Sequence, residues 1–124
     1  MSFVIYIVDD ESKDLKAIER LLQKEDYVLK MFTSPIEALT DLENEKPHLI
    51  ISDRKMPHMD GTDFLKRAKE KYPDCPCMLI SGSPISTTEE NALSQGIIER
   101  FLPKPLDIEL FLSEIKRLLK SEKA

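Results

Sequence analysis

The amino-acid sequence predicts a three-layer α/β sandwich built from five βα units, and three observations carry that prediction. Short apolar runs alternate from end to end with longer segments whose apolar residues recur at helical spacing. The two strongest runs, FVIYIV and HLIIS, lack polar alternation, as expected for strands covered on both faces. The segments between the runs are long enough for helical crossovers, so the strands should be parallel.

Taken in order, the first strand is Phe3 to Val8, followed by a helix with Leu15, Ile18, Leu21 and Leu22 on one face. The second strand is Tyr27 to Phe32, and its helix presents Ile36, Leu39 and Leu42. Ser34-Pro35-Ile36-Glu37 opens that helix with an N-cap, a proline at the first helical position and a glutamate three residues on. The third strand is His48 to Ser52, and Phe64, Leu65 and Ala68 mark the helix after it. Cys77 to Ser81 forms the fourth strand. Its helix, Thr88 to Gln95, is the weakest, supported by Ala92 and Leu93 alone, by a capping box over Thr87-Thr88-Glu89-Glu90 and by Gly96 as a C-terminal stop. The fifth strand is Ile98 to Leu102, and Ile108, Phe111, Leu112, Ile115, Leu118 and Leu119 line the last helix. The polar KSEKA end, residues 120 to 124, reads as a frayed helix end or the start of a linker.

With 124 residues, 41% of them hydrophobic, the chain suits one domain that can bury about two-thirds of its unfolded surface. A net charge of −5 and the absence of any Lys/Arg run argue against direct nucleic-acid binding, which needs a basic field. The longest apolar run, Phe3 to Val8, is far shorter than the roughly 20 residues of a membrane helix, and it follows Met1-Ser2 without the basic stretch of a secretory signal. No membrane partner is expected, and the location expected is cytoplasmic. Cys75 and Cys77 lack a zinc spacing with His48 and His58 and read as ordinary semi-buried thiols of a reducing compartment.

Polar residues cluster where strands end. Asp9 and Asp10 follow the first run, Asp53 follows the third, Ser81 closes the fourth, and Lys104 comes two residues after the fifth. Parallel sheets bind ligands outside the carboxyl ends of their strands, where the winding reverses. Each residue alone has an ordinary reading: Asp10 or Ser12 would cap the first helix, Asp53 and Ser81 would sit in turns, and Lys104 would be solvated. Together they form a crevice with three carboxylates, whose mutual repulsion is on the order of 10 kcal/mol at ~4 Å and an effective dielectric of ~20. A cation makes that arrangement sensible, and oxygen ligands with room for water select Mg²⁺. Mg²⁺ beside a carboxylate, a lysine and a hydroxyl is equipment for phosphoryl transfer.

The segments IYIVDDE, IISDRKMPHMDG, LISG and FLPKP, in this order and spacing, resemble the receiver domain of two-component response regulators, the CheY-like fold. The resemblance covers Phe3 to about Leu119 and implies a doubly wound sheet with strand order 2-1-3-4-5. It implies that Asp53 accepts a phosphoryl group from the phosphohistidine of a sensor histidine kinase or a phosphotransfer protein. Asp10, Asp53 and the backbone carbonyl of Lys55 would bind Mg²⁺ directly, and Asp9 would act through coordinated water. Lys104 would pair with the phosphoryl oxygens, Ser81 would hydrogen-bond them on switching, and Phe101 would be the aromatic switch residue. Pro105 would follow a cis peptide bond, while Met56-Pro57 would form a rigid loop element and Gly61 and Gly96 would serve the backbone.

The output face implied is the fourth helix, fifth strand and fifth helix, with Ile85, Asn91, Arg100 and Phe101 as candidate exposed residues, and phosphorylation-dependent homodimerisation is a further expectation. Residues 1 to 124 would then be one receiver domain without room for an output domain, modifying itself rather than turning over a substrate. Ser81 stands where threonine is more frequent and Phe101 where tyrosine is common. Ile97 replaces a usual alanine, and Lys55 sits where a side chain can influence hydrolytic water and with it the phosphoryl lifetime. A haloacid-dehalogenase-type phosphatase would want an aspartate where Lys55 stands. A phosphate-independent docking receiver is the alternative, although such modules lack part of the acidic pocket.

Overall fold

The computed structural model describes residues 2–123, with side chains through Lys120. Five strands, β1 (Phe3–Val8), β2 (Tyr27–Phe32), β3 (Leu49–Asp53), β4 (Cys77–Ser81) and β5 (Arg100–Pro103), form one parallel sheet in the order β2-β1-β3-β4-β5. Five helices connect or follow them: α1 (Ser12–Leu22), α2 (Pro35–Asp41), α3 (Gly61–Lys71), α4 (Thr87–Ser94) and α5 (Ile108–Lys123). The expected α/β class and strand order are therefore those observed. The expectation of a frayed end or linker at residues 120 to 124 concerns side chains beyond Lys120, and Ala124 altogether, which lie outside the described residues.

Strand periodicity explains why the central runs are apolar throughout. Ile5, Ile7, Leu49, Ile51, Met78 and Ile80 point to one face and pack under α1 and α5, against Leu15, Ile18, Leu22, Phe111, Ile115, Leu118 and Leu119. Tyr6, Val8, Ile50, Cys77 and Leu79 point to the other and pack under α2, α3 and α4, against Ala38, Leu42, Phe64, Leu65, Ala68 and Ala92. Both faces are thus dry. The edge strand β2 is only half covered, which matches the lysine in its YVLKMF sequence.

Several boundaries differ from the sequence-based expectations. His48 lies before β3 rather than in it: its N–H donates to the Val4 carbonyl, while its Nδ1 accepts from the Val4 N–H at 2.9 Å. Ile98 and Glu99 precede β5, because the chain is still leaving α4 there and the Ile97 and Ile98 N–H groups bond back to Ala92. The capping box of α4 sits one residue earlier, on Ser86 and Glu89, whose Oε1 accepts from the Ser86 N–H (2.9 Å) and hydroxyl (2.7 Å). Neither Asp10 nor Ser12 caps α1. Glu11 occupies the N-cap without a side-chain bond, and the Asp9 carboxylate takes its N–H instead. Ser34 caps α2 as expected, accepting from the Glu37 N–H, and Gly96 adopts φ 76°. Cys75 and Cys77 are buried rather than semi-buried, placed in the core by a tight turn and a central strand.

Candidate functional site

The sheet's winding reverses between β1 and β3, which neighbour each other while their helices go to opposite faces. A crevice opens above that pair. Backbone hydrogen bonds carry the ladder past the strand ends: Asp9 N–H to Phe32 O (3.1 Å), Arg54 N–H to Ile80 O (2.9 Å) and Lys104 N–H to Ser81 O (2.8 Å). The candidate residues are therefore held by the sheet itself rather than by free loops.

Carboxylate oxygens of Asp9, Asp10 and Asp53 all lie within 4.8 Å of one another, a group that could hold a metal ion. Asp9 is buried. Burial raises its pKa to about 6, with the Asp53 charge adding to the rise and the Glu11 N–H and Lys104 working against it. Lys104 Nζ reaches into the cluster, 2.9 Å from Asp53 Oδ1 and 3.1 Å from Asp9 Oδ2. Burial would lower the lysine pKa, but bonds to Asp14, Asp53 and Asp9 overcome it and hold the ammonium well above its ordinary value. The Lys104-Pro105 peptide bond is cis, as expected.

Ser81 is buried beside this cluster, and its hydroxyl accepts from the Ser83 N–H at 3.0 Å. Phe101 is half-buried against the core beneath α4. Of the other residues expected on an output face, Ile85 and Asn91 are exposed, whereas Arg100 is half-buried with its Nε 2.9 Å from Glu114 Oε1. The Lys55 side chain is exposed and Met56 is buried. Gly61 is required by close approach: a Cβ there would meet the Asp53 carbonyl oxygen at 2.1 Å. His58 adopts φ 71°, a left-handed conformation unusual for a side-chain-bearing residue.

Two features escaped the sequence reading. Asp14, in the first turn of α1, accepts a hydrogen bond from Lys104 Nζ at 2.9 Å, so three carboxylates share one ammonium. Its only sequence signal is a spacing of four residues from Asp10. Arg54, the neighbour of Asp53, places Nε 3.2 Å from Oε2 of the buried Glu89 and so ties the β3–α3 loop to the start of α4. No spacing in the sequence announces that pair.

Residues 5–116 match the family described as the response regulator receiver domain. The DNA-binding transcriptional regulator NtrC of Proteus hauseri is 34% identical over 115 residues, 93% of this chain and 24% of that protein. The chain thus spans about a quarter of the length of the NtrC-type relatives it matches. The signal receiver domain of an HD domain-containing protein from Pseudomonas fluorescens Pf-5 superposes with a TM-score of 0.93 at 28% identity, covering 99% of this chain and 98% of that one. A CheY-like receiver domain protein from Methanospirillum hungatei JF-1 gives 0.92 at 27% identity, with the same coverage of 99% and 98%. With the parallel sheet, its strand order and the acidic crevice already in place, the chain belongs to the response regulator receiver family of two-component signalling, a signalling domain rather than a turnover enzyme.

Proposed function

We propose that residues 1 to 124 act as one phospho-accepting receiver domain, with Asp53 as the phosphoacceptor. The observation that carries this reading is the convergence on Asp53 of an ammonium at 2.9 Å and two further carboxylates at the switch point of the sheet. Asp53 needs no general base, since a carboxylate is already ionised at neutral pH. One of its oxygens attacks phosphorus, the P–N bond of a donor phosphohistidine breaks, and the imidazole leaves with the electron pair of that bond. The acceptor becomes an acyl phosphate. Lys104 is placed to neutralise charge on the transferred oxygens.

The three carboxylates lie close enough to hold a metal ion, and this all-oxygen set suits Mg²⁺, which Asp10, Asp53 and the Lys55 backbone carbonyl would hold directly while Asp9 would act through coordinated water. When bound, Mg²⁺ supplies charge neutralisation at the phosphoryl oxygens. Ser81 supplies the switch. Its hydroxyl can turn from the Ser83 N–H to donate to a phosphoryl oxygen, a contact that exists in only one state and so shifts the population. Phe101 then reports the change to the α4, β5 and α5 face, where an output domain, a partner protein or a second phosphorylated copy would dock. The donor is a sensor histidine kinase or phosphotransfer protein, and the compartment is the cytoplasm. Among the described residues no helix is long and apolar enough to cross a membrane.

Incubation with acetyl phosphate and Mg²⁺ is expected to add one phosphoryl group to the intact mass of the wild type and none to Asp53→Asn. Unchanged wild-type mass, or equal labelling of the variant, would sink the assignment.

A further inference from the structure

The lysine of this site has more carboxylates than the phosphoacceptor chemistry requires. An ammonium has three N–H donors, and those of Lys104 reach Asp9, Asp53 and Asp14 at 2.9 to 3.1 Å. Asp9 and Asp53 belong to the group that can hold a metal, so a bound cation would take over part of their charge. Asp14 does not. It sits on α1, outside that group, so a cation held there is not shared with it directly.

We propose that Asp14 is a positioning residue for Lys104, a restraint that competes with an anion on Asp53 for the ammonium and so weakens retention of the phosphoryl group. This inference rests on the phosphoacceptor reading of Asp53. A phosphoryl group on Asp53 brings new anionic oxygens that need the lysine, and the donor spent on Asp14 must be withdrawn or shared. The Asp14 side chain is 42% exposed, so it can turn into water when the lysine leaves. Competition from a half-exposed carboxylate is screened, which places its effect in the few-fold range rather than in orders of magnitude.

The test uses the whole chain with Mg²⁺ and beryllium fluoride, a non-covalent mimic of the phosphoryl group, titrated by two-dimensional amide NMR. Asp14→Asn is expected to bind the mimic roughly 2- to 5-fold more tightly than the wild type. Asp14→Glu, which keeps a carboxylate on the same turn, restores wild-type affinity. Glu11→Gln removes an equal charge next to the same helix start without a bond to Lys104, and it leaves affinity unchanged. Unchanged or weaker binding by Asp14→Asn overturns the proposal, and so does an equal gain in Glu11→Gln, which would make the effect one of bulk charge. A wild type that fails to bind the mimic at all overturns the phosphoacceptor reading, and the role of Asp14 falls with it.

Discussion

Asp9 occupies its position at an energetic cost. Its carboxylate is buried beside Asp53, and although Lys104 and the Glu11 N–H oppose the effect, the acid form is favoured up to about pH 6. A carboxyl whose folded pKa lies above its unfolded value contributes stability that is complete below the unfolded value. That contribution is lost as the pH rises through the folded value. Between pH 3.8 and about 6 the metal-free domain should therefore lose stability at this position as the solution becomes less acidic. Asp9→Asn, a neutral isostere that still accepts the Glu11 N–H, is expected to be more stable than the wild type at pH 7 without metal, by on the order of 1 to 3 kcal/mol. At pH 5 the advantage should shrink to roughly half. Urea midpoints of both proteins in chelator at the two pH values check this, and an advantage independent of pH would refute it. Local cost at a residue held for its chemistry is what a functional crevice is expected to show.

Among the elements, α4 depends most on polar contacts. It turns Ala92 and the buried Glu89 inward, while Leu93 is 36% exposed, so little apolar area fastens it to the sheet. Burial would raise the pKa of Glu89, but the Ser86 hydroxyl and N–H and the Arg54 guanidinium outweigh it and hold the carboxyl below the usual glutamate value. The stability this provides is present above the unfolded pKa and lost as the pH falls through the lower, folded one. Glu89→Gln is expected to cost about 1 to 2 kcal/mol at pH 7, with the deficit narrowing below about pH 4.5 as the wild-type carboxyl protonates. Thermal or urea unfolding at pH 7 and pH 4 distinguishes this from a loss of packing, which would not vary with pH.

The same helix shows how far a sequence can be read. Strands with strict apolar content and helices such as α5, which buries Phe111, Ile115, Leu118 and Leu119 although the expected Ile108 is exposed, were legible because each pattern has one physical cause, burial on a fixed period. The box on α4 was legible in kind but misplaced by one residue. Ser86 and Thr87 are both good caps, and only the burial of Glu89 against Arg54 decides between them. Asp9, Asp10, Asp53, Ser81 and Lys104 could be gathered in advance because strand ends of a parallel sheet meet at one edge. Asp14 could not, since its contact depends on how α1 leans over the crevice and on the path of a lysine 90 residues away.

At the scale of the molecule, two dry cores clamp the central strands from both faces, and three of the carboxylates behind the net charge of −5 are gathered at one end of that platform. A rigid sheet cannot spread them apart. Their repulsion is opposed among the described residues by the ammonium of Lys104, which already serves Asp14 as well. A divalent cation that binds the folded cluster and not the unfolded chain must then stabilise the whole domain by mass action. With Mg²⁺ at ten times its dissociation constant the gain is about 1.4 kcal/mol, which for a domain of this size corresponds to roughly 4 to 8 °C in Tm. Melting curves recorded over a Mg²⁺ series at constant ionic strength should rise with the logarithm of concentration once the site is half filled, and chelator should reverse the rise. Asp10→Ala should flatten the series, because it removes one of the three clustered carboxylates without disturbing a core residue. A rise of equal slope in Asp10→Ala would mean that Mg²⁺ acts through general charge screening, and the ligand set proposed for the crevice would be wrong.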